Sequence, residues 1–130
     1  MINTKRIKLF LTIGMALCAV LFAGCTKDRQ TSTAVIELEG NPTTCYTWVY
    51  TMSQENIIRE VSETFVQNQN DDRAVGVGGK FIFSFEPVTE GETTLVFSYL
   101  RVWEEDIPAI QTVTYRATVD SQNNLTLSQE

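Results

Sequence analysis

Asn41-Pro42-Thr43-Thr44-Cys45-Tyr46-Thr47-Trp48 begins as a turn and ends as a strand. Gly40, Asn41 and Pro42 punctuate the chain, and the two threonines are able to hydrogen-bond locally. Tyr46, Trp48 and Tyr50 then recur at every second position, the period of a β-strand with one aromatic face, while Thr47, Val49 and Thr51 form the other. The spacing predicts an exposed loop that runs directly into a strand over 46–52. Trp48 is placed between two sheets, where its ring, with Tyr46, supports the loop from inside.

The same period extends outward along the chain. Ile36 and Leu38 alternate with Glu37 and Glu39 in a first strand. Phe81, Phe83 and Phe85 alternate with more polar neighbours, as do Leu95, Phe97 and Tyr99, and then Val113, Tyr115, Ala117 and Val119. Residues 125–127 add a short last strand. Residues 89–92 read as a turn whose flanking strands pair antiparallel, and residues 120–124 as another turn. Residues 54–73 are least regular: 57–61 and 64–66 are read as two brief strands, with a short helix as the alternative. Residues 67–72 form a solvated polar loop tip and not a metal site. About seven short strands with alternating faces predict an all-β fold, an antiparallel β-sandwich over residues 34–128.

The amino end is a separate object. Lys5, Arg6 and Lys8 precede an apolar run from Leu9 to Phe22, the layout of a secretory signal peptide and too short for a comfortable membrane span. Leu21-Phe22-Ala23-Gly24-Cys25 resembles the bacterial lipobox, which implies cleavage after residue 24 and lipidation of Cys25. The expected organisation is therefore a signal peptide over 1–24 and a lipid-anchored tether over 25–33, with the protein held at a membrane of the bacterial cell envelope after export. With Cys18 in the leader and Cys25 lipidated, Cys45 is the last free thiol. No internal disulfide then remains to staple the domain. The leader holds three of the ten basic residues and none of the sixteen acidic ones, leaving the remainder at −9. Such a balance argues against nucleic acid as a partner.

Three short segments, in order, carry a resemblance. Asn41-Pro42-Thr43-Thr44-Cys45-Tyr46-Thr47-Trp48, Val75-Gly76-Val77-Gly78-Gly79 leading into Phe81, and Tyr99-Leu100-Arg101-Val102-Trp103-Glu104 resemble the signature segments of the chagasin-like inhibitors of papain-type cysteine peptidases. The resemblance implies an immunoglobulin-like sandwich acting as a monomer, whose partner is a papain-like cysteine peptidase blocked reversibly by three loops. It further implies contacts from Asn41, Pro42, Thr43 and Thr44 at the centre of the cleft. Gly76, Val77, Gly78 and Gly79 fall on the non-primed side, and Arg101 and Trp103 on the primed side. Cys45 stands where the family carries glycine, so either the backbone tolerates a side chain there or the thiol is buried as a small apolar group. Val102 stands where it carries proline, which leaves the third loop less preorganised.

Catalysis has little to work with. The chain contains no histidine, which removes Ser-His-Asp and Cys-His arrangements and histidine-bearing zinc sites. Gly76–Gly79 lacks the lysine and the following helix of a phosphate loop. Glu104, Glu105 and Asp106 are neighbours with no facing acid across a cleft. The expectation is a non-enzymatic protein without cofactor or metal. The alternative to inhibition is a lipid-anchored envelope sandwich that binds another protein or a glycan through the same loops, with Trp103 folded onto the sandwich edge if those loops are merely structural.

Overall fold

A computed structural model describes residues 32–69 and 76–130. The signal peptide, Cys25, residues 25–31 of the tether, Val75 and residues 70–72 of the polar tip lie outside the described residues. Among the described residues seven strands follow one another: β1 (Ala34–Gly40), β2 (Thr47–Met52), β3 (Ile58–Gln67), β4 (Gly79–Pro87), β5 (Gly91–Leu100), β6 (Gln111–Val119) and β7 (Leu125–Gln129). They form two antiparallel sheets, β1-β4-β3 and β2-β5-β6-β7. This is an all-β, immunoglobulin-like sandwich of seven strands.

The alternating rows meet between the sheets. Phe83 of β4 faces Phe97 of β5 with ring centroids 5.0 Å apart, and Tyr50 of β2 sets its ring edge-on to Phe83 and Phe85. Phe83, Phe85, Phe97, Ile36, Leu95 and Val119 are fully buried, each removing apolar surface worth roughly 1.5–3 kcal/mol from water. Among the described residues Thr93 is the polar exception in this interior. Its hydroxyl donates to the Gln54 carbonyl at 2.8 Å and accepts from the Gln54 N–H at 3.0 Å, which meets the requirement that a buried polar group be paired.

Two expectations change. The strands on either side of residues 89–92 do not pair with each other. β4 is flanked by β1 and β3, and β5 by β2 and β6, so the link between them crosses from one sheet to the other. Both carry a full apolar row, and stacking the two rows face to face buries both. Pro87, at the end of β4, has no N–H with which to continue a ladder. The crossing segment is held by Val88 and Thr89, whose N–H groups donate to the Ile57 carbonyl.

The stretch read as two brief strands is the single ten-residue strand β3. A bulge between Glu60 and Ser62 explains the misreading, because the extra residue shifts the phase of alternation. Ile58 and Glu60 lie opposite Pro87 and Phe85 on the core side before it, and Glu63 and Phe65 lie opposite Phe83 and Phe81 after it. Two of these inward positions are acidic. The Tyr50 hydroxyl donates to Glu60 Oε2 at 2.5 Å, and burial followed by this contact pushes the phenol far above its ordinary range. Desolvation, with the Glu60 charge second, raises the Glu63 carboxyl. A raised acid favours the folded state most when protonated, below its unfolded value, and that advantage fades as pH climbs through the folded pKa. Glu63→Gln should therefore gain stability over the parent at pH 7 and lose that lead towards pH 4. Urea midpoints at the two pH values check this; an equal difference at both would remove Glu63 as the cause.

The fold has two ends. The β1–β2, β3–β4 and β5–β6 connections gather at one, and the β2–β3, β4–β5 and β6–β7 connections at the other. Ser32 belongs to the second end, where its Oγ accepts from the Leu125 N–H at 3.0 Å.

Candidate functional site

At the first end the connection between β1 and β2 is a compact turn. Pro42–Thr44 form one 3-10 turn with Asn41 as its cap: the Asn41 side-chain oxygen accepts from Thr43 N–H at 3.1 Å and Thr43 Oγ1 at 2.6 Å. Proline in the first turn loses nothing by lacking an N–H. Thr44 Oγ1 donates to the Asn41 carbonyl, and the Cys45 N–H to the Pro42 carbonyl at 3.0 Å. Asn41 is half-buried, whereas Pro42, Thr43 and Thr44 are exposed and form the tip.

Cys45 closes the turn at φ 66°, in the left-handed region, with its side chain exposed. The backbone tolerates the side chain; the thiol is not buried. An L-residue in that region costs roughly 1–2 kcal/mol, part of which glycine returns through its freer unfolded chain. Cys45→Gly should raise stability by up to about 1 kcal/mol, read as a higher denaturant midpoint. A lower midpoint would show that the thiol makes a favourable contact.

Beneath the turn stands a group of aromatic rings. Trp48 is buried and its indole N–H donates to the Glu39 carbonyl at 3.0 Å, so it supports the loop from inside the sandwich. Tyr46 is half-buried beside Tyr99, with ring centroids 5.4 Å apart, and Tyr99 in turn lies 5.0 Å from Trp48.

The second loop touches the first. Asn41 Nδ2 donates to the Gly76 carbonyl at 2.8 Å, tying the turn to the glycine segment. Gly76 has φ 83°, which glycine adopts freely. Gly76 is exposed, and Val77 and Gly78 are half-buried at the rim. Gly79 is different: it is buried in β4 opposite Gly40 and Gln67, and a Cβ there would come within 2.2 Å of the Val66 carbonyl oxygen. Its lack of a side chain serves close packing of strands.

The third loop touches the first as well. Arg101 lies with its guanidinium 4.5 Å from the centre of the Tyr46 ring, donates to Glu104 Oε1 at 3.1 Å, and reaches the Thr44 carbonyl at 3.5 Å, the outer limit of a hydrogen bond. The Glu104 hydrogen bond raises the Arg101 pKa above its ordinary value, so the cation is permanent. Its Nε is buried with no acceptor among the described residues. Trp103, two residues on, is 61% exposed, and Val102 and Ile107 are exposed beside it. Trp103 is thus not folded onto the sandwich edge.

All the predicted loop residues from 41 to 103 therefore stand at one end, linked by Asn41 and Arg101. Between their roots is an open cavity of about 480 Å³ bounded by Gly40, Asn41, Tyr46, Gly78, Tyr99 and Ile110. Reading the sequence missed Tyr99 as a supporting residue. Its signal was a hydroxyl at the end of a buried row, which has to find a partner.

Residues 29–119 match the family described as chagasin family peptidase inhibitor I42. The crystal structure of the cysteine protease inhibitor EhICP2 from Entamoeba histolytica aligns with a TM-score of 0.62 at 22% identity, covering 69% of this chain and 80% of that one, a likeness of fold. The solution structure of Amebosin is 28% identical over 66% of this chain and 76% of its own, with a TM-score of 0.47. Among curated proteins there is no significant match.

Proposed function

The chain belongs to the chagasin family of peptidase inhibitors, and from that premise we propose how its three loops act. It is a reversible inhibitor of papain-like cysteine peptidases and not an enzyme. In the proposed complex the Asn41–Thr44 turn fills the centre of the cleft. The segment from Gly76 to Gly78 lies on the non-primed side, backed by the buried Gly79, and Arg101 and Trp103 lie on the primed side. The observation that carries this reading is the linkage of all three loops at one end of the sandwich through Asn41 and Arg101. A peptidase cuts an extended chain; Pro42 and the left-handed Cys45 instead hold this segment in a closed turn, which offers no scissile bond in an extended pose. Arg and Trp are the residue types that most often dominate interface energy.

The test is inhibition of papain by the purified protein, with activity returning on dilution. Absence of inhibition at high micromolar concentration against several papain-like enzymes would reject the reading.

The same proposal includes the lipid anchor. Signal-peptide layout and the lipobox-like string support lipidation at Cys25, and with it an envelope location. Ser32 enters the fold at the end opposite the inhibitory loops, so a chain anchored at Cys25 presents those loops away from the membrane. The stretch from Cys25 to Ser32 spans at most ~25 Å when extended. Mass spectrometry of the mature protein should find a lipid-modified Cys25 at its amino terminus; an unmodified terminus elsewhere refutes the anchor.

A further inference from the structure

Tyr99 ends the inward row of β5, with its residue surface only 8% exposed. Its ring packs against both Trp48 and Tyr46, while its hydroxyl reaches out of the core into the root of the first loop. That hydroxyl accepts from the Asn41 N–H at 2.8 Å and stands 3.4 Å from the Asn41 carbonyl oxygen. Gly40 leaves the room it needs, since a Cβ there would lie 3.1 Å from the Tyr99 oxygen and 2.8 Å from the Phe81 ring.

Asn41 is the residue on which the other loop contacts converge. Its side chain caps the Pro42–Thr44 turn and binds the Gly76 carbonyl of the second loop. Fixing its backbone therefore fixes two loops together. Tyr99 also precedes Arg101 by two positions, and both meet the Tyr46 ring: the Arg101 guanidinium lies 4.5 Å from its centre and the Tyr99 ring 5.4 Å from it. The end of β5 and the residues just after it thus meet the first loop at Asn41, through Tyr99, and at Thr44 and Tyr46, through Arg101.

We propose that Tyr99 is a positioning residue for inhibition: its hydroxyl sets the place of Asn41, and through Asn41 the turn and the glycine segment, without itself touching the peptidase. This rests on the reading that the loops occlude a peptidase cleft. Losing a positioning bond lowers the fraction of free inhibitor whose loop is competent to bind, and so slows association. Once bound, the loop is held by the peptidase, and dissociation changes little. A lost direct contact has the opposite signature, faster dissociation.

The experiment compares the parent protein with Tyr99→Phe, which removes one oxygen, and with Tyr115→Phe, which removes a tyrosine hydroxyl elsewhere in the sandwich. Association and dissociation rates are measured with papain, and amide hydrogen exchange is followed at Asn41, Thr43 and Thr44 in the free proteins. Tyr99→Phe should slow association about tenfold, the loss of one hydrogen bond in a part-buried site, with dissociation within about twofold. Exchange should quicken at Asn41, Thr43 and Thr44 and stay unchanged in β4 and β5, while Tyr115→Phe alters neither rate nor loop exchange. Unchanged loop exchange, or faster dissociation at an unchanged association rate, overturns the proposal. If Tyr99→Phe fails to fold, the parent alone decides: an unprotected Asn41 amide overturns it, and protection comparable to the strands supports it. If papain is not inhibited by the parent, the inhibitory reading fails there, and the exchange comparison still decides the positioning role.

Discussion

Trp103→Ala should raise the inhibition constant against papain by at least about 30-fold, equivalent to roughly 2 kcal/mol of binding, with the unfolding midpoint unmoved. The side chain is 61% exposed in the free protein, so the fold gains little from it and loses little when it goes. What holds the third loop in place is Arg101, through Glu104 and Tyr46, and those contacts survive the substitution. An indole held out on a braced loop enters a complex with part of its ordering cost already met. An unchanged inhibition constant would remove Trp103 from the interface, and a lowered midpoint would show that it supports the fold after all.

The other tryptophan should behave in the opposite way. Trp48→Ala is expected to cost roughly 3–5 kcal/mol of folding stability, the range for removing a large aromatic side chain from a packed core. Its ring lies against Tyr99 between the sheets, and its N–H satisfies the Glu39 carbonyl just before the first loop. A domain of this size has ~5–15 kcal/mol in all. The variant should therefore unfold well below the temperature of the parent, and any inhibition it retains should decline with the folded fraction. Trp48→Phe, which fills part of the space and leaves the Glu39 carbonyl without that donor, should fall between the two. Calorimetry on the three proteins orders them; equal midpoints for Trp48→Ala and the parent would exclude a core role.

Most of the strands were legible because apolar residues recur in them at every second position. β4, β5 and β6 carry rows such as Phe81-Phe83-Phe85, and a row of period two has few other uses. β3 was not legible, for two physical reasons: as an edge strand it carries acids on the core side, and its bulge breaks the period in the middle. The sheet partner of a strand is likewise a matter of tertiary packing. β4 and β5 look like a hairpin in sequence and are opposite layers in space.

The loops divide in the same manner. Pro42 and the threonines announce a turn by their own chemistry, and Trp48 announces its burial by its place in an aromatic row. The ties from Asn41 to Gly76 and from Tyr99 to Asn41 join residues 35 and 58 positions apart, and no local pattern carries them. Cys45 illustrates the limit from the other side. The residue was visible as an anomaly, and only its positive φ explains why glycine would suit that position.

The inward acids of β3 have a bearing on how many copies can live side by side. No described strand pairs with the outer side of β3, and ten residues of backbone there could template another chain. An incoming strand would have to seal Glu60 and Glu63 away from water, and the cost of dehydrating two neighbouring carboxylates opposes that step. The two carboxylates thus set an energetic cost against edge-to-edge pairing between copies.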